Sequence, residues 1–85
     1  AQYLAEKGVV AVGADTIALE VIPFEKETEA FPVHQTLLAK NGVYILETLD
    51  TRELAADGVS EFLFVLGQLK MKGSVQMMIN PIAIR

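Results

Sequence analysis

The chain has 85 residues, 52% of them apolar, and seven Lys and Arg against eleven Asp and Glu give a formal net charge of −4. This acidic balance excludes the positive surface that binds a phosphate backbone, so we expect no nucleic-acid partner. The apolar runs are far shorter than the roughly 20 residues that cross a bilayer, so we expect no membrane partner. The absence of Cys excludes disulfides, thiolate metal ligands and a thiol nucleophile.

A chain of this length is one domain at most, and it buries only about 60% of the surface that its unfolded form exposes. Its mean hydropathy of +0.37 is high for a small domain that must cover its own core. We therefore expect apolar surface that needs a partner, either the rest of a parent chain or another copy. No secretory signal is recognisable at the N-terminus, and a cytoplasmic location is the default expectation.

The predicted elements of the first 22 residues are a helix end, a strand and a short helix. Residues 2–7 read as the last turns of a helix that stops at Gly8. Residues 9–12 are a β-branched run typical of a parallel strand buried on both faces. Asp15 is placed to cap a short helix over residues 17–20.

The middle of the chain contains a charged loop, the best-defined helix and a strand. The charges of residues 23–31 predict a solvated loop. Pro32 begins a helix with an apolar stripe that ends at Gly42. Residues 43–46 form the next strand, and Glu47 lies at its C-terminal end, where open α/β sheets place their ligand sites.

The last third of the chain predicts another short helix and further strands. Residues 52–56 form the helix and residues 61–66 the strand, followed by a turn at residues 70–74. The tail reads as strand over residues 75–79 and 81–84, with a kink at Pro81. Helices alternating with strands indicate an α/β class with a mixed sheet and short helices, in a single domain or fragment spanning residues 1–85.

Two residues are candidates for chemistry. His34, the sole histidine, shares the inward side of its helix with Leu37 and Leu38. A lone histidine in such a place is more often structural than a ligand, and a carboxylate at a strand end is commonly just exposed. If His34 and Glu47 face one cleft, they offer nitrogen and oxygen donors to zinc or manganese. A catalytic zinc needs about three protein ligands, so the others must come from elsewhere.

Other catalytic patterns are missing from the sequence. Ser60 and Ser74 are its only serines, and neither lies in a Gly-x-Ser-x-Gly elbow. The glycines at 8 and 13 flank a strand, whereas phosphate-cradling motifs need glycines after the strand. The methionines are best explained as packing residues.

Several separated motifs occur in an order that resembles the cyclase and kynurenine formamidase family. They are GVVAVGADT at 8–16, FPVHQ at 31–35, LL at 37–38, NGVY at 41–44, LE at 46–47, ELAADG at 53–58 and EFLFV at 61–65. The resemblance covers nearly the whole chain and corresponds to the C-terminal third of that family. It implies a swivelling β/β/α cyclase-like fold and a metal-dependent hydrolase that acts on small amides or lactones, with zinc or manganese as cofactor.

The same resemblance implies roles for the two candidate residues. His34 and Glu47 match the late metal-binding His and Glu of the family, while its N-terminal motif His-x-Gly-Thr-His-x-Asp-x-Pro is not in this sequence. We therefore expect a C-terminal fragment that is inactive alone and, as in the family, a homo-oligomer. The tail at residues 73–81 departs from the family pattern, so the substrate is not indicated. The alternative is a stand-alone truncated domain that self-associates without catalysis.

Overall fold

A computed structural model describes residues 1–24, 28 and 30–85. The chain divides into two compact units, Ala1–Thr51 and Arg52–Arg85. In chain order the elements are α1 (Gln2–Glu6), β1 (Ala11–Gly13), α2 (Pro32–His34), the π-helix π1 (Gln35–Lys40), β2 (Tyr44–Leu46), α3 (Arg52–Ala56), β3 (Leu63–Val65) and β4 (Ile82–Ile84). The chain contains both short helices and strands, as the α/β prediction required, and no helix of the described residues is long and apolar enough to cross a membrane.

The first unit contains a two-stranded parallel sheet. Strands β1 and β2 pair with Val12 opposite Ile45, which confirms the predicted parallel strand. The prediction that this strand is buried on both faces is wrong, because Val10 is 76% exposed and β1 is exposed at both ends. A two-stranded sheet has too few neighbouring elements to cover both of its faces.

Helices α2 and π1 form one continuous segment, here called the Pro32 helix. It begins at Pro32 and stops before Gly42, as predicted, and Gly42 adopts the left-handed backbone (φ 65°) that ends many helices. Its buried side chain is Leu37, which forms the core of the unit with Val43 and Leu46. The predicted apolar stripe of this helix is only half buried, because the small core covers Leu37 but not the neighbouring Leu38.

The segment of residues 14–24, which follows β1, is not helical, so the predicted helix over residues 17–20 is wrong. Its backbone instead continues the pairing of the strands. Ala14 donates its N–H to the carbonyl of Leu46, and Thr48 donates to the carbonyl of Thr16, at 3.0 and 2.9 Å. The carbonyl of Thr16 is one that a helix over residues 17–20 would need for its first turn, and the two bonds hold the segment beside the end of β2.

The four charged residues of the predicted loop, 25–27 and 29, lie outside the described residues. The aromatic residues on its two sides are described. The rings of Phe24 and Phe31 meet edge to face, with centroids 5.2 Å apart. Solvation of the loop charges stays a prediction.

The second unit contains α3 and an antiparallel pair of strands. Helix α3 covers the predicted residues Arg52–Ala56 and is followed by Gly58 with a left-handed backbone (φ 63°). Strand β3 pairs with β4 so that Phe64 lies opposite Ala83. The predicted strand over residues 75–79 does not form, since no described strand pairs with it. The chain thus has parallel and antiparallel pairings in separate sheets, where the sequence predicted one mixed sheet.

Candidate functional site

The first turn of the Pro32 helix is capped by a side chain from far upstream. The residue before the helix, Phe31, has a left-handed backbone and makes no side-chain cap bond. The carboxylate of Glu20 takes that role: it accepts the N–H of Val33 at 3.2 Å and the N–H of His34 at 2.7 Å. Two backbone donors that a helix start leaves without intrahelical partners are satisfied in this way.

Glu20 also binds the imidazole of the same histidine. Its Oε1 lies 2.8 Å from Nδ1 of His34, and its side chain is only 1% exposed. Burial by itself raises the pKa of Glu20. The hydrogen bonds from the ring and backbone of His34 and from the backbone of Val33 outweigh burial and hold this pKa below its ordinary value of 4.5. Glu20 is therefore an ionised carboxylate at neutral pH.

Glu47 approaches the other ring nitrogen of His34. Its Oε1 lies 3.4 Å from Nε2, and the two side chains are 30% and 31% exposed, so solvent reaches the pair. The same oxygen accepts the N–H of Leu19 at 3.1 Å. Leu19 thus contacts Glu47 through its backbone, and the next residue, Glu20, contacts His34 through its carboxylate.

These contacts favour one tautomer of the neutral imidazole. An ionised carboxylate only accepts hydrogen bonds, so the proton in the hydrogen bond between His34 and Glu20 lies on Nδ1 of His34. In this neutral form the lone pair on Nε2 faces Oε1 of Glu47, and two acceptors at this separation repel each other unless a second ring proton or a metal cation lies between them. Adjacent nitrogen and oxygen ligands of a tetrahedral zinc lie about 3.4 Å apart, given bonds of roughly 2.0–2.2 Å. The pair fits two corners of such a site.

The pair does not form a complete metal site. Within residues 1–24, 28 and 30–85, no group of three or more His, Asp or Glu side chains is arranged to hold a metal ion. The oxygens of Glu20 are used by the hydrogen bonds from Val33 and His34. A catalytic zinc takes about three protein ligands, so His34 and Glu47 by themselves are too few for such a site.

Strained backbone occurs beside both candidate ligands. Phe31, three residues before His34, has φ 51°, and Thr48, directly after Glu47, has φ 54°. This left-handed conformation is costly for residues with a Cβ, most of all for a β-branched one. Such strain often occurs at functional sites.

The structure brings the two sequence-predicted site residues together, and it places His34 partly buried in the first helical turn, as its spacing predicted. Sequence reasoning missed Glu20. It assigned this residue to a short helix, although one signal was available: Glu20 is the sole acid within the apolar run of residues 17–22. A carboxylate in such a run needs a hydrogen-bonding partner if it is buried.

Comparisons with models of protein families, with curated proteins and with solved structures gave no match to this chain. The observations that bear on its function are the contacts among Glu20, His34 and Glu47.

Proposed function

We propose that the chain is the C-terminal part of a metal-dependent amide or lactone hydrolase of the cyclase and kynurenine formamidase type. In this proposal the fold of the whole enzyme is cyclase-like, and His34 and Glu47 are two ligands of a divalent zinc or manganese ion. The observation that supports it most is the 3.4 Å approach of Nε2 to Oε1, with Nδ1 already bound to Glu20.

Each residue has a separate task. His34 presents Nε2 as a nitrogen donor, and Glu47 presents a carboxylate oxygen that the N–H of Leu19 holds in place. A divalent metal bound there would polarise a carbonyl group and lower the pKa of a bound water. The remaining ligands would come from the rest of the parent protein or from another copy in a homo-oligomer. The 85-residue chain alone is then inactive.

The proposal is tested by calorimetric titration of the purified chain with zinc. We expect weak binding of one ion, lost in His34→Gln and in Glu47→Gln and retained in Glu61→Gln. Glu61 is an exposed carboxylate of the second unit, so the last variant controls for the loss of one negative charge. Equal zinc affinity in all four proteins would contradict the proposal and favour a structural role for His34 and Glu47.

The expected inactivity has its own test. The purified chain is incubated with zinc or manganese and an aryl formamide, and release of the amine is followed. We expect no turnover above the rate with metal alone, because too few ligands are present to hold a catalytic ion. Turnover that depends on His34 would show that the chain is a complete enzyme.

The second candidate function is a self-associating domain without catalysis. It is favoured by the sheet of the second unit, where one face carries four apolar side chains that are each 45–62% exposed. These residues are Leu63, Val65, Ile82 and Ile84. Exposed apolar faces often mark surfaces that bind another protein.

A further inference from the structure

Glu20 does more for His34 than cap its helix. A single oxygen, Oε1, receives both the backbone N–H and the ring Nδ1 of the histidine, at 2.7 and 2.8 Å. Two contacts to one residue fix the ring relative to its own backbone. The second oxygen accepts from Val33, which prevents the carboxylate from rotating away.

Burial makes this arrangement specific. The Glu20 side chain is 1% exposed, so water cannot replace its hydrogen bonds at little cost. Nδ1 is thereby withdrawn from any metal, and only Nε2 is directed toward Glu47, at 3.4 Å. Histidine ligands of metals commonly donate their other ring N–H to a carboxylate in this manner.

We propose that Glu20 is the positioning residue of the His34–Glu47 pair: it fixes the imidazole as the Nδ1–H tautomer and so makes Nε2 the metal-binding nitrogen. The part of this inference that concerns metal binding by Nε2 rests on the proposed function. The tautomer of His34, in contrast, can be observed in the chain without metal. The adjacent Leu19 contributes by holding Glu47 through its backbone N–H.

The test uses long-range proton–nitrogen NMR of the full chain at pH about 8.5, where an ordinary imidazole is neutral. His34 is the sole histidine, so its two ring nitrogens are assigned without ambiguity. We expect a protonated Nδ1 and an unprotonated Nε2 in the wild type. An Nε2–H tautomer in the wild type would overturn the proposal without any mutation, so the test does not depend on a variant that folds.

The variant Glu20→Gln supplies the second arm, with Glu61→Gln as the matched control. Gln can donate to Nδ1 as well as accept from it, so we expect a mixture of tautomers, and zinc affinity about 10- to 100-fold weaker than in the wild type. The control should leave both quantities unchanged. An unchanged tautomer in a folded Glu20→Gln chain would overturn the positioning role.

The same experiment separates this inference from the proposed function. If the wild type has the Nδ1–H tautomer but binds no zinc, the metal function fails and the positioning of the ring by Glu20 stands. If the wild type binds zinc and Glu20→Gln binds it equally well, the positioning role fails and the metal function stands.

Discussion

At the scale of single residues, one buried carboxylate organises the candidate site. Glu20 contacts the helix start and the imidazole together, while Glu47 is held near Nε2 by the backbone of Leu19. A carboxylate this deeply buried is tolerated because hydrogen bonds replace its lost hydration. The arrangement makes His34 the residue on which both glutamates converge.

The first prediction concerns the stability of the fold at low pH. Because the pKa of Glu20 is lower in the folded chain than its ordinary 4.5, its ionisation stabilises the fold above that value. The contribution is lost as pH falls through the lower, folded value. We expect far-UV circular dichroism to show an acid transition that is shallower in Glu20→Gln than in the wild type. An identical acid transition in the two proteins would contradict this assignment.

At the scale of the elements, the Pro32 helix connects the core to the site. Leu37 is fully buried and anchors the helix, and His34 lies one turn before it. The helix winds as a π-helix from the residue after His34, a form that is uncommon and frequent at functional sites. Burial of Leu37 therefore anchors the helix whose first turn carries the imidazole.

The second prediction tests this anchor. Leu37→Ala should destabilise the chain by about 2–5 kcal/mol, since it removes a fully buried side chain and leaves a cavity. Leu38→Ala is the matched control because Leu38 is 44% exposed, and its cost should stay near 0.5 kcal/mol. Urea unfolding followed by circular dichroism measures both. If the two variants lost equal unfolding free energy, Leu37 would not be the residue that anchors the helix.

The third prediction concerns the end of the helix. Gly42 has φ 65°, so Gly42→Ala should cost about 1 kcal/mol even though the space around it is open. Gly67 also has open space but no left-handed backbone, and Gly67→Ala should be neutral or slightly stabilising. Thermal unfolding of the two variants gives the comparison. A Gly42→Ala variant as stable as the wild type would argue against a left-handed backbone at the end of the helix.

Sequence patterns predicted those elements whose signals are local. The helix from Pro32 to Gly42 has a start residue, a stop residue and apolar spacing, and the structure has it at those bounds. Glu20 was missed because its role depends on contacts with residues 13 and 14 positions away, which no local pattern encodes. The strand over residues 75–79 was predicted from composition, but a strand also needs a partner.

At the scale of the whole molecule, apolar surface is the dominant feature. The chain is 52% apolar, and the fully buried core of the described residues is small. The strand pairing of the second unit places Leu63 opposite Ile84 and Val65 opposite Ile82, so four exposed apolar side chains share one face. Covering such a face with a partner removes it from water and stabilises the assembly.

The fourth prediction is therefore concentration-dependent self-association of the purified chain, seen by sedimentation velocity. Leu63→Lys places a charge on the exposed face and should shift the chain toward monomer. Val75→Lys is the control, because Val75 is 92% exposed and lies outside that face. Association that responds equally to both variants would mean that the face is not the contact surface.

The central claim, that His34 and Glu47 bind a divalent metal, is tested most directly by ring-nitrogen NMR of His34 during a zinc titration. We predict that zinc shifts the Nε2 resonance while the proton on Nδ1 stays bound to Glu20, and that Glu47→Gln abolishes the shift. A ring that does not respond to zinc, or a zinc ion bound through Nδ1, would contradict the claim.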